Sequence, residues 1–474
     1  MGDCILSRLI AVSNRVADPS TGKTAGGLAV GLLAALRKQG GVWFGWGGKT
    51  CHGEPKDPTV IRRGKVSYAT IDVDESEFEE YYNGYSNGCL WPLCHYMLNF
   101  FHYERRFGRA YQRVNALFAR KLRPLLQADD VIWAHDYHLI PLAGELRKAG
   151  VENPIGLFLH VPFPNIDVLR TLPGHRLILD MLTRYDVIGF QTGSDVRSFV
   201  ESLARVGFLE ARLGYDRFRA CGREFTAAAF PIGIDVPGVM QMSERAVTSA
   251  TVKRVREGLV GRELVIGVDR LDYSKGLPER FRAFGELLAN YPDTRGRLVF
   301  MQIAPPTRSG VRAYQDIREE LEQLAGNING RFAEPDWAPI RYLNRGFSRS
   351  MLMGMFRISR IGLVTPLRDG MNLVAKEFVA AQDPDDPGAL ILSYLAGAAE
   401  ELDAAVIVNP YDTEGVAEAI QRAANMPLGE RQERYRSMMG QLQLNDIGAW
   451  TDRFLTALEA VRAQNNAASQ HGSA

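Results

Sequence analysis

Short apolar runs, rich in Val and Ile, recur along this 474-residue chain and alternate with stretches of helical period. In the first half they fall at Leu9–Val12, Val131–Ala134, Gly156–His160 and Val187–Gln191. The second half has Leu264–Val268, Leu298–Ile303, Arg341–Asn344, Ile361–Thr365, Leu390–Ser393 and Val406–Val408. Amphipathic segments lie between them, at Gly27–Lys38, Leu139–Ala149, Pro278–Asn290 and Ala375–Gln382. Runs that are apolar at every position, separated by helices, predict parallel strands covered on both faces. The expected fold class is α/β, with two doubly wound Rossmann-like domains facing across a cleft. Loops leaving the carboxyl ends of the strands would then carry the chemistry.

A charged segment, Ser243–Arg262, follows Pro231–Asp235 before the strand pattern restarts. The expected division is therefore 1–236, 237–450 and a C-terminal helix with a polar tail, 451–474, the helix free to pack back on the first domain. The small polar tail is expected to be disordered. Composition acts mainly by exclusion. Lys plus Arg number 56 against 55 for Asp plus Glu, leaving +1. A near-neutral chain without a basic block argues against nucleic acid or a membrane surface as partner. Any anionic ligand must be met by a few placed cations. Five cysteines without a CxxC pair fit reduced thiols and a cytoplasmic compartment. No apolar window reaches the length a bilayer requires.

Five loops following strands stand out. Ile361–Glu377 reads as strand, tight loop at Gly370, then helix, and free amides from Met371 onward form a ready phosphate site. Glu377 would sit within reach of ribose hydroxyls, although an ordinary βα unit has the same pattern. Gly267–Gly276 places Arg270 and Lys275 on one loop, where two cations can close on one diphosphate. Arg15 follows the first run, and Gly26 with Gly27 opens the first helix. His135-Asp136-Tyr137-His138 ends another run, and His160 ends a third. Metal binding by these histidines is disfavoured because soft ligands are absent, and Asp136 with His160 makes an equally good hydroxyl-binding pair. Ala17–Thr24 fits a relaxed phosphate-loop pattern, but Asp18 repels phosphate and Pro19 lacks an N–H, so the match reads as coincidence.

The strings SNR (13–15), GGLAVG (26–31), HDYHL (135–139), HVPFP (160–164), RLDYSKGLPERF (270–281) and TPLRDGMNLVAKE (365–377) occur in order over most of the chain. Together they resemble the trehalose-6-phosphate synthase family, retaining glucosyltransferases with two Rossmann-like domains (GT-B type). The resemblance implies transfer of glucose from a nucleotide-glucose, UDP-glucose or another base, to glucose 6-phosphate, giving α,α-trehalose 6-phosphate. It implies Arg270, Lys275, Asp136 and His160 as catalytic residues. Donor binding would fall to Gly26, Gly27, Arg270, Lys275, Phe347, Asp369, Gly370, Met371, Asn372, Leu373, Val374, Ala375, Lys376 and Glu377. Acceptor binding would fall to Arg15, Tyr82, Trp91, Asp136 and Arg308, with His160 and Asp369 also on the transferred glucose. Neither metal nor cofactor is implied, and the partners are the small-molecule substrates, with homo-oligomerisation left open. The chain departs from the family pattern at Asn165-Ile166-Asp167, where a Ser/Thr and then Glu are usual. Alternative readings are a transferase using glycerol 3-phosphate or an amino-cyclitol phosphate as acceptor, a phosphate-loop NTPase or kinase, and a non-catalytic sugar-phosphate sensor.

Overall fold

The computed structural model describes residues 8–16, 27–307 and 312–471. The chain divides into two compact units: Met1–Ile232 together with Ile447–Ala474, and Gly233–Asp446.

Among the described residues, the first unit is built on one sheet of ten strands. These are β1 (Leu9–Arg15), β2 (Gly41–Cys51), β3 (Thr59–Arg63), β4 (Val66–Asp74), β5 (Val131–His135), β6 (Ile155–Phe158), β7 (Val187–Phe190), β8 (Leu209–Arg212), β9 (Arg217–Ala220) and β10 (Arg223–Ala229). Their spatial order is β3-β4-β2-β1-β5-β6-β7-β10-β9-β8. The central strands pair in parallel, while β3 with β4 and β8 with β9 with β10 are antiparallel ribbons at the two edges. β1 and β5 are buried along almost their whole length, as continuous apolar runs require. β3 is exposed at every position, and its Arg62 and Arg63 charge an edge that would otherwise invite pairing with another chain.

The helix Ile447–His471 belongs to this unit although the whole second unit precedes it in sequence. Its Trp450 and Phe454 are fully buried. Phe454 stacks on Trp133 of β5 at 4.7 Å between ring centroids and meets Phe158 and Phe230 edge-on. β6 and β7 admit this ring because they carry Gly156 and Gly189 there; a Cβ at either would lie 2.7 Å from it.

The second unit has six parallel strands among the described residues. They are β11 (Glu263–Val268), β12 (Leu298–Ile303), β13 (Ile340–Leu343), β14 (Ile361–Val364), β15 (Ala389–Ser393) and β16 (Val406–Val408). Their order, β13-β12-β11-β14-β15-β16, runs outward one way from β11 and then the other way from β14. The chain therefore reverses direction between β11 and β14, and loops at such a point diverge to leave a crevice for a ligand. The first sheet reverses in the same sense between β1 and β5. Among the described residues, no helix is long and apolar enough to cross a membrane.

Candidate active site

In the first unit the notable side chains gather where β1, β5 and β6 end. The pairing of β1 with β2 slips between Ser13 and Arg15, and such a bulge re-aims the residue that follows it. Asn14 is held by the Tyr81 hydroxyl, which donates to Oδ1 at 2.8 Å. Arg15 projects over the Trp46 ring, 5.4 Å from guanidinium carbon to centroid. Trp46 is 6.4 Å from Tyr82, which stacks on Phe78 at 5.0 Å and on His138 at 5.7 Å. Tyr82 comes from a π-helix, Glu79–Leu90, and Trp91 follows directly, packed on His95 and Tyr137.

Asp136 directly follows β5, with φ 76° and ψ 166°, a backbone region almost confined to glycine. The conformation costs on the order of 1–3 kcal/mol and persists only if its surroundings over-determine it. They do: the Asp136 N–H donates to the Phe158 carbonyl at 2.7 Å, and its carboxylate accepts from the N–H groups of Tyr137 at 3.1 Å and His160 at 3.3 Å. His135 Nδ1 and His160 Nε2 lie 3.3 Å apart, enclosed by Trp133, Phe158 and Trp450. Burial holds both imidazoles neutral: His160 is lowered to about 3, and His135 well below its usual range, with His160 adding to the effect. At the departure from the family pattern, Asn165 caps the short helix Ile166–Leu169, accepting from Val168 N–H at 3.0 Å.

In the second unit, the loops after β11 and β14 meet. Asp272 accepts from Ser274 N–H and Oγ, both at 3.0 Å, which folds the first loop into a single tight turn. Lys275, with 10% of its side chain exposed, donates to Asp369 Oδ2 at 2.5 Å. Asn372 Nδ2 donates to the same oxygen at 3.0 Å. Arg270 is exposed on the same loop as Lys275. Asp369 N–H donates to the Leu395 carbonyl, and Gly370 and Met371 are buried behind it. Asn372, at φ 71°, starts the helix Leu373–Ala381, so Leu373, Val374 and Ala375 form its first turn. Glu377 accepts from Arg349 at 2.9 Å; burial raises its carboxyl and Arg349 pulls it back down. The Lys376 side chain is fully buried in an ion pair with Glu401, which leaves only its backbone to face a ligand at the helix start. Phe347 lies under the Arg345 guanidinium at 4.9 Å.

The structure thus brings Arg15, Tyr82, Trp91, Asp136 and His160 to one end of the first sheet. It brings Arg270, Lys275 and Asp369–Glu377 to one end of the second, with Phe347 on the loop after β13. Gly27 opens the helix Gly27–Gln39. Gly26, Arg308 and the Ala17–Thr24 segment lie outside the described residues. Sequence reasoning missed Trp46 under Arg15, His135 against His160, Arg349 on Glu377, and Arg280 beneath Lys275. Of these, His135 and Arg280 fall within strings that had been singled out, and neither string signals the partner its residue meets.

Residues 9–460 match the model of glycosyltransferase family 20. The chain belongs to that family. It is 50% identical over 459 residues to a trehalose-6-phosphate synthase of Sinorhizobium fredii, covering 96% of this chain and 99% of that one. A UDP-forming α,α-trehalose-phosphate synthase of Burkholderia xenovorans, solved in complex with glucose 6-phosphate, superposes with a TM-score of 0.92 at 50% identity, covering 95% of this chain and all of that one. An E. coli structure bound with UDP-2-fluoro glucose gives 0.91 at 46% identity, over 95% of this chain and 99% of that one. Members this alike share the GT-B fold class, with its two Rossmann-like domains, and the glycosyltransferase activity of the family.

Proposed function

We propose that this member of the family moves glucose from UDP-glucose to glucose 6-phosphate, releasing UDP and forming α,α-trehalose 6-phosphate. The observation that carries the reading is that two relatives, each about half identical over nearly the whole chain, hold the two substrate types separately: glucose 6-phosphate in one, a UDP-glucose analogue in the other. In this reading Arg270 and Lys275 hold the donor diphosphate, aided by the amides that open the helix Leu373–Ala381. Glu377 takes the ribose hydroxyls, and Asp369 and His160 take the hydroxyls of the transferred glucose. Arg15, Tyr82, Trp91 and Arg308 hold the acceptor phosphate, with Asp136 on its sugar.

The transfer retains configuration. The bond from the anomeric carbon to the diphosphate oxygen breaks, the acceptor oxygen bonds to that carbon from the same face, and the acceptor's proton passes to the departing diphosphate. A glycosidase would place a carboxylate under the anomeric carbon instead. Here the barrier falls through alignment of the two substrates and stabilisation of charge on the leaving group. Neutral His160 suits hydroxyl binding, since a buried imidazolium would repel the developing oxocarbenium.

The test is product formation with UDP-, GDP- and ADP-glucose against glucose 6-phosphate and glycerol 3-phosphate, with and without excess EDTA. Turnover to trehalose 6-phosphate with UDP-glucose, unaffected by EDTA, is expected. Transfer only to another acceptor, or activity lost to EDTA and restored by Mg²⁺, overturns the reading.

A further inference from the structure

Arg280 lies on the helix Leu277–Asn290, on the same face as the buried Leu277, Phe284 and Leu287, and its side chain is 0% exposed. It makes four hydrogen bonds. Nε donates to Thr365 Oγ1 at 3.0 Å, and Nη2 to the Lys275 carbonyl at 3.0 Å. Nη1 donates to the Asp269 carboxylate at 2.8 Å and to Gln302 Oε1 at 3.1 Å. Asp269 begins the loop after β11 and Lys275 ends its turn, while Thr365 begins the loop after β14. One planar fork therefore fixes both loops and the end of β12.

Room for the fork is made by Gly267. A Cβ there would lie 2.4 Å from Gln302 Oε1 and 2.9 Å from Arg280 Nη1. The loops also interlock by backbone: Leu367 N–H donates to the Ser274 carbonyl at 2.8 Å. Gly276, at φ 63°, leaves space where a Cβ would meet the Thr365 carbonyl at 2.6 Å. Burial pushes the Asp269 carboxyl up, and Arg280 leads the groups that pull it down.

An ion pair this buried is a poor way to gain stability, because apolar replacements of equal volume often do as well. What an apolar group cannot do is hold a carbonyl, a hydroxyl and a carboxylate from separate segments at fixed separations. We propose that Arg280 is a positioning residue for donor transfer. It sets the Lys275 backbone against the β14 loop, so that Lys275 Nζ faces the place where charge grows on the leaving diphosphate, with Asp369 beside it for the transferred glucose. The proposal rests on the assignment of Lys275 to that diphosphate, made above.

The test compares Thr365→Val, Gly267→Ala, Arg280→Lys and, as reference, Lys275→Ala. Each is assayed for single-turnover transfer, UDP affinity by calorimetry and cooperative unfolding in urea. Thr365→Val deletes one bond of the fork and keeps the Asp269 pair, so it remains measurable if Arg280→Lys does not fold. The expected result is turnover reduced roughly 10-fold in Thr365→Val and roughly 10²-fold in Arg280→Lys, because small misplacements near the reacting atoms cost that much. UDP affinity should move less than about 3-fold, and Gly267→Ala should follow the same split. Folded Thr365→Val and Gly267→Ala proteins with normal turnover, beside a Lys275→Ala protein that has lost it, would show Arg280 to be structural only. Normal turnover in Lys275→Ala would overturn the diphosphate assignment itself, and the inference with it.

Discussion

Acidification should weaken the first unit through the histidine pair at the ends of β5 and β6. His135 and His160 are neutral when folded, because burial lowers both. In the unfolded chain each takes up a proton below about pH 6.5. The unfolded state then binds more protons than the native one, so stability is complete above that pH and is lost as pH falls toward the folded value. For His160, lowered to about 3, the loss reaches about 2 kcal/mol by pH 5, and His135 acts in the same direction. That is a large fraction of the ~5–15 kcal/mol by which domains are usually stable. Urea unfolding followed by tryptophan fluorescence reports on the right region. Trp43, Trp46, Trp91, Trp133 and Trp450 lie in the first unit, and only Trp337 in the second. Between pH 7.5 and 5, the wild-type protein should lose about 2 kcal/mol more than His160→Gln, which cannot titrate. Equal losses in the two proteins would mean that His160 is protonated in place without cost, and the account of its burial would be wrong.

Two further outcomes follow from the acceptor end of the first sheet. Arg15→Ala should weaken glucose 6-phosphate use by roughly 1.5–3 kcal/mol, about 10- to 150-fold, since one charge-assisted contact is removed; calorimetry should find UDP-glucose affinity unchanged, and its loss would move Arg15 out of the acceptor site. Asp136→Gly should abolish transfer while leaving the melting temperature unchanged or higher, because glycine adopts φ 76° without strain; a fall of several degrees would show that the carboxylate's own bonds matter more than the strain it carries.

The parallel strands were legible because burial on both faces leaves no polar position. Leu298–Ile303 and Val406–Val408 have the same limits in the structure as in the pattern. The edges were not. β2 carries Gly45, Gly47 and Gly48 through its pairing, β3 is wholly exposed, and β8–β10 carry arginine and glutamate on a solvated ribbon. β2 and β3 lack the apolar alternation that marks a half-buried strand, and β8 and β9 alternate over only four residues each, too short a run to stand out. The π-helix Glu79–Leu90 contains Asn83, Gly84 and Gly88 and lacks the 3.6 period. In the site, cations directly after strands could be read, since position along a βα unit fixes their end of the sheet. Tertiary partners could not. Arg349 reaches Glu377 across 28 positions, and Arg280 reaches Thr365 across 85. An arginine on a helix face looks the same in sequence whether it meets water or a carboxylate.

The helix Ile447–His471 sets an order on the birth of the molecule. As the chain leaves the ribosome, residues 1–232 emerge first but lack Trp450, which packs on Trp133, and Phe454, which fills the hollow over Gly156 and Gly189. All of Gly233–Asp446 is then made without interruption, with its six strands contiguous in the nascent polypeptide. The later-encoded unit can therefore finish folding before the earlier one, which waits with Trp133, Phe158 and Phe230 uncovered until the last stretch arrives. During that interval those rings are sticky surface, and a ribosome stalled anywhere before residue 447 would release a product whose first sheet is permanently in that state.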